Sequence, residues 1–153
     1  MRLWRISDHA SLSGDGGLLG SARWHSRGKR IVYLADHPAS ALLEVMVHLE
    51  VRAENIPDGY QLLKIDAPDD LAVDDADPGE VPANWRERVS LTQKIGDDWL
   101  NNGSTSLLRV PSAIVPETNN YLLNPAHADA VRIVIASAIR AAFDPRLMAF
   151  IAN

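Results

Sequence analysis

The chain has 153 residues, of which 46% are hydrophobic and 23% charged, and its formal net charge is -5. This length and composition predict one globular domain over residues 1–153 with its own core, and the lack of cysteine excludes disulfides and thiolate metal sites. The acidic balance argues against a nucleic-acid-binding surface. No signal-peptide pattern is visible, and no apolar run approaches the roughly 20 residues that span a bilayer. We therefore expect a cytoplasmic protein without membrane contact.

Charge is distributed unevenly along the chain. Six basic residues and only two acidic ones lie in the first thirty positions, so this end is the better candidate for binding an anion. Seven acidic residues and no basic one lie between Asp66 and Glu80. The ligand spacing of a calcium loop is absent there, and we interpret the run as a solvated loop.

The first half of the chain predicts strands and one helix. Residues 3–6 (LWRI) and Arg30–Ala35 (RIVYLA) are typical of strands. The glycine-rich stretch between them matches neither the GxGxxG nor the Walker pattern and is interpreted as a loop. A helix should follow, with Asp36 as its cap and Pro38 in its first turn. Another strand is predicted at 59–68.

The second half predicts a helix and further strands. Ser90 and Gln93 have the spacing of a capping box, and Asn101–Gly103 should end that helix. The prolines around residues 106–116 predict an edge or bent strand, and residues 117–130 resemble a loop. Segment 131–143 fits a strand or a helix, with strand preferred. This irregular order favours an α+β fold with mixed or antiparallel sheets and flanking helices.

Glu44 is unusual because it stands in an otherwise apolar helix. It lies off the main apolar stripe and four residues before His48, which it could touch. One interpretation is a polar helix face with a mild side-chain pair, and the other is a functional carboxylate. Because HExxH is absent and the pair offers only two ligands, we expect no metal site.

Three further polar or aromatic residues allow two interpretations each. Arg23 lies among small residues, where its planar fork could reach phosphate oxygens, or it could stack on Trp24 or another ring. Tyr33 could line a site or pack in the core. Ser112 lacks the GxSxG elbow of a nucleophile and could instead be a buried hydroxyl making a hydrogen bond.

Four blocks of the sequence, in order, resemble the RES family of bacterial toxin–antitoxin toxins. The blocks are GSARWHSRGKRIVYLADHPASALLEVMVH, TQKIGDDWL, RVPSAIVPETNNYLLNPAHAD and FDPRL. The resemblance runs from about Trp4 to Leu147, and one departure is Ala128, where the family's NPxHPD block has a second proline. The family is named for an arginine, a glutamate and a serine.

The resemblance implies a compact α+β fold similar to that of ADP-ribosyltransferase toxins, with NAD as substrate. The family's tyrosine also has a counterpart here, and either Asn119 or Asn120 matches a polar position beside the pocket. The residues it implies as catalytic are Arg23, Tyr33, Glu44 and Ser112, and those it implies as NAD-binding are Arg23, Tyr33, Ser112 and Asn119. Glu44 would stabilise the positive charge that develops on the ribose.

The implied activity is cleavage of the nicotinamide–ribose bond of NAD, by water or with inorganic phosphate as co-substrate. The alternatives are an ADP-ribosyltransferase that modifies a host protein, and a non-catalytic interaction domain. The implied partner is an Xre-like helix-turn-helix antitoxin, in a complex that could contain a homodimer of this chain.

Overall fold

A computed structural model of the protein describes residues 1–48, 59–76 and 82–151. The strands are β1 Arg2–Ile6, β2 Val32–Ala35, β3 Gly59–Asp66, β4 Val73–Asp75, β5 Leu107–Pro111, β6 Asn119–Leu123 and β7 Val134–Ala142. The helices are α1 Gly16–Leu19, α2 Pro38–His48, α3 Val89–Asn102 and α4 Pro145–Ile151, with short 3-10 helices at Trp85–Glu87 and Ala128–Arg132. Within these residues, no helix has the length and apolar character needed to cross a bilayer.

The seven strands form one sheet in the order β4-β5-β6-β2-β1-β3-β7. All neighbouring pairs are antiparallel except β4 and β5, which are parallel. Helices are interspersed without a regular βαβ series, so the predicted α+β class with a mixed, mainly antiparallel sheet is confirmed. Segment 131–143 is mainly strand β7, as preferred, with the end of a 3-10 helix at its start.

Each face of the sheet is covered by its own cluster of apolar side chains. The first cluster contains Leu3, Val32, Leu63, Ile65, Leu107 and Leu123. The second contains Trp24, Trp85, Trp99, Leu108, Val110 and Leu122, with Tyr33 packed against it. Because residues alternate between faces along a strand, Tyr33 and Asn120 share this second face. We call it the tryptophan face.

One strand prediction was wrong, and so was the edge alternative of a second, which had allowed an edge or a bent strand. Residues 119–123, predicted as loop, form β6, which pairs with β2 on one side and β5 on the other. Its two asparagines have low strand propensity, but Leu122 and Leu123 are fully buried in this central position. The proline-flanked strand β5 is not at the edge of the sheet, because the short strand β4 covers part of it.

Two predicted helix caps were also wrong. His37, rather than Asp36, caps α2, because its Nδ1 accepts a hydrogen bond from Ala39 N at 3.1 Å. The capping box of Ser90 and Gln93 does not form, since α3 begins at Val89 and Gln93 bonds elsewhere. The C-terminal prediction for α3 is confirmed: Gly103 ends it in the left-handed conformation, with φ of 60°.

The acidic run is more ordered than a solvated loop. Asp66 and Asp70 pair with Arg2 and Arg132, and Asp75 on β4 pairs with Arg109 of β5. Three residues of the run therefore bind arginines that are distant in sequence. Asp77 and Glu80, the last two acidic residues of the run, lie outside the described residues.

Candidate functional site

Glu44 lies at the centre of a hydrogen-bonded group on the tryptophan face. Helix α2 packs against β1 and β2. From there the Glu44 side chain reaches Asn120 of β6 and Ser112, which directly follows β5. Its Oε1 accepts hydrogen bonds from Asn120 Nδ2 at 2.6 Å and from Ser112 Oγ at 3.2 Å. Both donors are more than 65 residues away in sequence, so this carboxylate is part of an assembled site. It is not an isolated charge on a helix.

All hydrogen-bonding positions of the Ser112 hydroxyl are occupied by groups within the protein. Ser112 is 3% exposed, and its Oγ accepts hydrogen bonds from Ile114 N at 3.1 Å and Val115 N at 3.2 Å. A hydroxyl has two acceptor positions and one proton, so the remaining proton points to Glu44. Ser112 thereby fixes the carboxylate and presents no free lone pair for nucleophilic attack.

Asn120 leaves one buried acceptor without a partner. Because a carboxylate only accepts, the amide nitrogen of Asn120 must face Glu44, which sets the orientation of the whole amide. Its Oδ1 is buried and bonded to nothing among the described residues. Such a group is costly when it stays unpaired, so Oδ1 is suited to receive a ligand's N–H or O–H.

The predicted residue Asn119 does not take this position. Neighbouring residues of a strand point to opposite faces, so Asn119 lies on the face away from Glu44. The sequence left the register open between Asn119 and Asn120, and the structure places Asn120 beside the carboxylate.

Tyr33 is held by the loop that carries Arg23. Its hydroxyl accepts from Trp24 N at 3.1 Å and lies 2.9 Å from His25 Nδ1. His25 Nε2 faces the carbonyl of Gly20 at 2.9 Å, so in the neutral ring Nε2 carries the proton and Nδ1 accepts from Tyr33. Burial raises the pKa of the Tyr33 hydroxyl above its usual range, and the phenol stays neutral.

Arg23 stacks on a ring, as one interpretation predicted, but the ring belongs to Trp85. Its guanidinium carbon lies 5.7 Å from the centroid of Trp85, and Nη1 donates to the carbonyl of Arg86 at 2.9 Å. Its remaining N–H groups make no hydrogen bond within the described part of the chain. They are available to an anionic ligand.

Arg86 connects the Arg23 side of the site to the Ser112 side. Its carbonyl accepts from Arg23, while its Nε donates to Ala113 O at 3.2 Å and its Nη2 reaches Ser112 O at 3.5 Å. The sequence did not single out Arg86, since it belongs to no recognisable motif.

His48 has a local structural role. Its Nδ1 lies 2.6 Å from the backbone carbonyl of Glu44 and therefore binds the last turn of α2. It does not pair with the Glu44 carboxylate.

A groove of about 430 Å³ lies elsewhere, at the ends of β3 and β7. Its lining includes Asp8, Tyr60, Gln61 and Arg140 and none of the predicted site residues. It lacks an anchored carboxylate with a free acceptor beside it, so the Glu44 group is the better candidate for chemistry.

Comparison with known proteins agrees with the sequence resemblance. The sequence profile of the RES domain matches residues 2–144. The chain belongs to the RES domain family. Relatives of this RES domain include "Toxin Res" of Pseudomonas putida, 47% identical over 130 residues that cover 85% of this chain and 88% of the relative. Another is "Prs ADP-ribosylating toxin" of a Sphingobium species, 38% identical over 157 residues, covering 95% of each chain.

A solved structure shows the same fold. It is the M. tuberculosis MbcT–MbcA toxin–antitoxin complex, in which the matched chain has a TM-score of 0.70 and 19% identity to this RES domain. The match covers 99% of this chain and 88% of that chain. The sheet described above is therefore the architecture of an already known fold.

Proposed function

We propose that this RES domain is the toxin of a toxin–antitoxin pair and that it cleaves the nicotinamide–ribose bond of NAD. The names of its relatives support the toxin role. The observation that carries the chemistry is the Glu44 carboxylate, anchored by Ser112 and Asn120 on the sheet face that also carries Tyr33.

Glu44 has the arrangement that this bond cleavage needs. Nicotinamide leaves as a neutral amide, so the reaction needs little acid assistance, but positive charge develops on the ribose. A fixed carboxylate beside that charge stabilises the transition state without reorganising. Both anchoring donors bind Oε1, and Oε2 receives no hydrogen bond within the described residues, which leaves it free to face the ribose.

The neighbouring groups suggest how the ribose is held. The unpaired Oδ1 of Asn120 would accept a hydrogen bond from a ribose hydroxyl. Ser112 keeps Glu44 in place and does not itself contact the substrate in this proposal, because its hydroxyl is already committed. This differs from the role that the family resemblance implied for Ser112.

Arg23 and Tyr33 would bind the rest of the dinucleotide. The free N–H groups of Arg23 match the oxygens of a pyrophosphate. Tyr33 would flank the nicotinamide ring with its aromatic face, since its hydroxyl is bound to Trp24 and His25. The pyrophosphate would thus be held by the loop that carries Arg23, and the nicotinamide ring by Tyr33 of strand β2.

The acceptor distinguishes three reactions at the same site. Water would yield nicotinamide and ADP-ribose, and inorganic phosphate would make the reaction a phosphorolysis. Transfer to a host protein is the second candidate, and the name of the Sphingobium relative favours it. A non-catalytic interaction domain is disfavoured because it would not need an anchored carboxylate beside an unpaired acceptor.

We also propose an antitoxin partner of the Xre-like helix-turn-helix type, in a complex that could contain two copies of this chain. The fold match to a chain of the MbcT–MbcA toxin–antitoxin complex supports an antitoxin partner. Co-purification with the product of the adjacent reading frame would test the proposal, and a stable monomeric chain that does not bind that product would contradict it.

The enzymatic proposal is tested by nicotinamide release from NAD, measured with and without phosphate. Glu44→Gln keeps the size of the side chain and removes its charge, so turnover should fall by about 100-fold or more. Asp98→Asn, on the exposed side of α3, is the matched control and should retain parental turnover.

Labelled NAD separates the reactions, because label on host protein indicates transfer and free ADP-ribose species indicate depletion. A parent chain that releases no nicotinamide with water, phosphate or host extract would overturn every enzymatic version of the proposal.

A further inference from the structure

One face of α3 binds the short loop that carries Arg23. We call residues 22–26 the arginine loop. It is a tight turn in which Ala22 N donates to His25 O at 3.1 Å. The residues of α3 that meet it are Thr92, Gln93, Gly96 and Asp97. They follow the i, i+1, i+4, i+5 spacing of one helix face.

Two of these side chains bind consecutive carbonyl groups of the loop. Thr92 is fully buried, and its Oγ1 donates to Arg23 O at 2.5 Å. Gln93 Nε2 donates to Ala22 O at 2.9 Å. Two adjacent peptide groups on either side of the Arg23 backbone therefore have defined partners on α3, which fixes the rotation of that backbone.

The other two residues hold the second half of the loop. Gly96 lets the backbone come so close that an added Cβ would lie 1.8 Å from Trp24 O. Asp97 Oδ1 accepts a hydrogen bond from Ser26 N at 3.0 Å. Apolar packing alone would not need a separate polar partner at both ends of a five-residue turn.

The loop in turn holds both predicted substrate-binding groups. It bears Arg23, and its Trp24 N–H donates to the hydroxyl of Tyr33 at 3.1 Å. A shift of the loop would therefore move the guanidinium and release the tyrosine together. Neither group has a direct side-chain bond to α3.

We propose that Thr92, Gln93, Gly96 and Asp97 are positioning residues that set the location of Arg23 and Tyr33 for the pyrophosphate and nicotinamide of NAD. The inference rests on the proposed function. It assigns a role to the TQKIGD part of the sequence, which the chemistry at Glu44 does not use. Since Arg23 and Tyr33 bind substrate before the reaction, loss of the α3 contacts should weaken NAD binding and affect turnover at saturation little.

The test uses three variants of the full chain, with substitutions at the neighbouring α3 residues Asp97 and Asp98. Asp97→Ala removes the acceptor for Ser26 N, and Asp97→Asn keeps an acceptor oxygen while removing the charge. Asp98→Ala, whose parent side chain pairs with exposed Lys94, is the matched control. Amide hydrogen exchange at Ser26 and Trp24 reports on the loop directly, and KM and kcat for NAD report on the site.

We expect Asp97→Ala to speed exchange at both amides and to raise KM about tenfold to a hundredfold with kcat changed little. Asp97→Asn should recover most of the KM, and Asp98→Ala should match the parent. Unchanged exchange in Asp97→Ala would refute the loop contact, and faster exchange with parental KM would reduce α3 to a structural role. If the parent chain does not act on NAD, the proposed function fails. Amide exchange still tests the loop contact by itself: unchanged exchange in Asp97→Ala refutes the contact, and faster exchange supports it.

Discussion

Replacement of Gly96 by alanine tests the close approach of α3 to the arginine loop. The added Cβ would lie 1.8 Å from Trp24 O, whereas ordinary contact begins at 3.4 Å, so the two must separate by about 1.6 Å. The Trp24 backbone carbonyl cannot move aside as easily as the end of a flexible side chain can. Either the loop or the helix must therefore move.

The structure gives the size of the effect. Overpacking of this kind costs about 1–3 kcal/mol, which for a domain of this length lowers Tm by about 2–12 °C. A separation of 1.6 Å would also break the bonds from Thr92 and Gln93 to the loop carbonyls. KM for NAD should then rise, as for Asp97→Ala.

Thermal unfolding followed by circular dichroism, together with NAD turnover, measures both effects. Gly16→Ala is the matched control, because a Cβ at Gly16 would have no atom within 4 Å. Its Tm should equal or slightly exceed that of the parent, since alanine favours helix over glycine. A Gly96→Ala variant with parental Tm and KM would show that the close approach is absent in solution.

Substitutions at three further positions have expected effects on stability. Tyr33→Phe leaves the Trp24 N–H unpaired and should cost about 1–3 kcal/mol in denaturant unfolding; an unchanged midpoint would refute the bond. Arg132→Ala removes the hydrogen bond that lowers the Asp70 pKa. The stability gap to the parent should be full above about pH 4 and close as pH falls through the folded-state pKa, and a gap independent of pH would contradict this. Gly103→Ala places a side chain at φ of 60° in open space and should cost about 1–2 kcal/mol, whereas Gly103→Asn should cost less.

The sequence predicted β1, β2 and β3 better than it predicted β6. β1, β2 and β3 carry apolar and β-branched residues, so their local pattern is sufficient. β6 begins with two asparagines, and its strand conformation follows from pairing with β2 and β5, which are distant in sequence. The acidic run also could not be interpreted locally, because the arginines that pair with it come from other elements.

For the site, residue types were visible in the sequence but their contacts were not. Glu44 stood out as a charge in an apolar helix, yet only the folded chain shows Oε1 accepting from Ser112 and Asn120. The choice between Asn119 and Asn120 depends on strand register, which short polar segments do not reveal. Arg86 escaped notice because it acts mainly through backbone carbonyl groups.

The separation of Glu44 from its anchors has a consequence for protein synthesis. The ribosome completes α2 long before Ser112 and Asn120 exist, because these anchors lie directly after β5 and within β6, in the C-terminal half of the chain. A chain that ends before Asn120 carries the carboxylate but has no means to hold it in place. Products that end before Asn120 should therefore be inactive, because the proposed site is complete only after this residue has been translated.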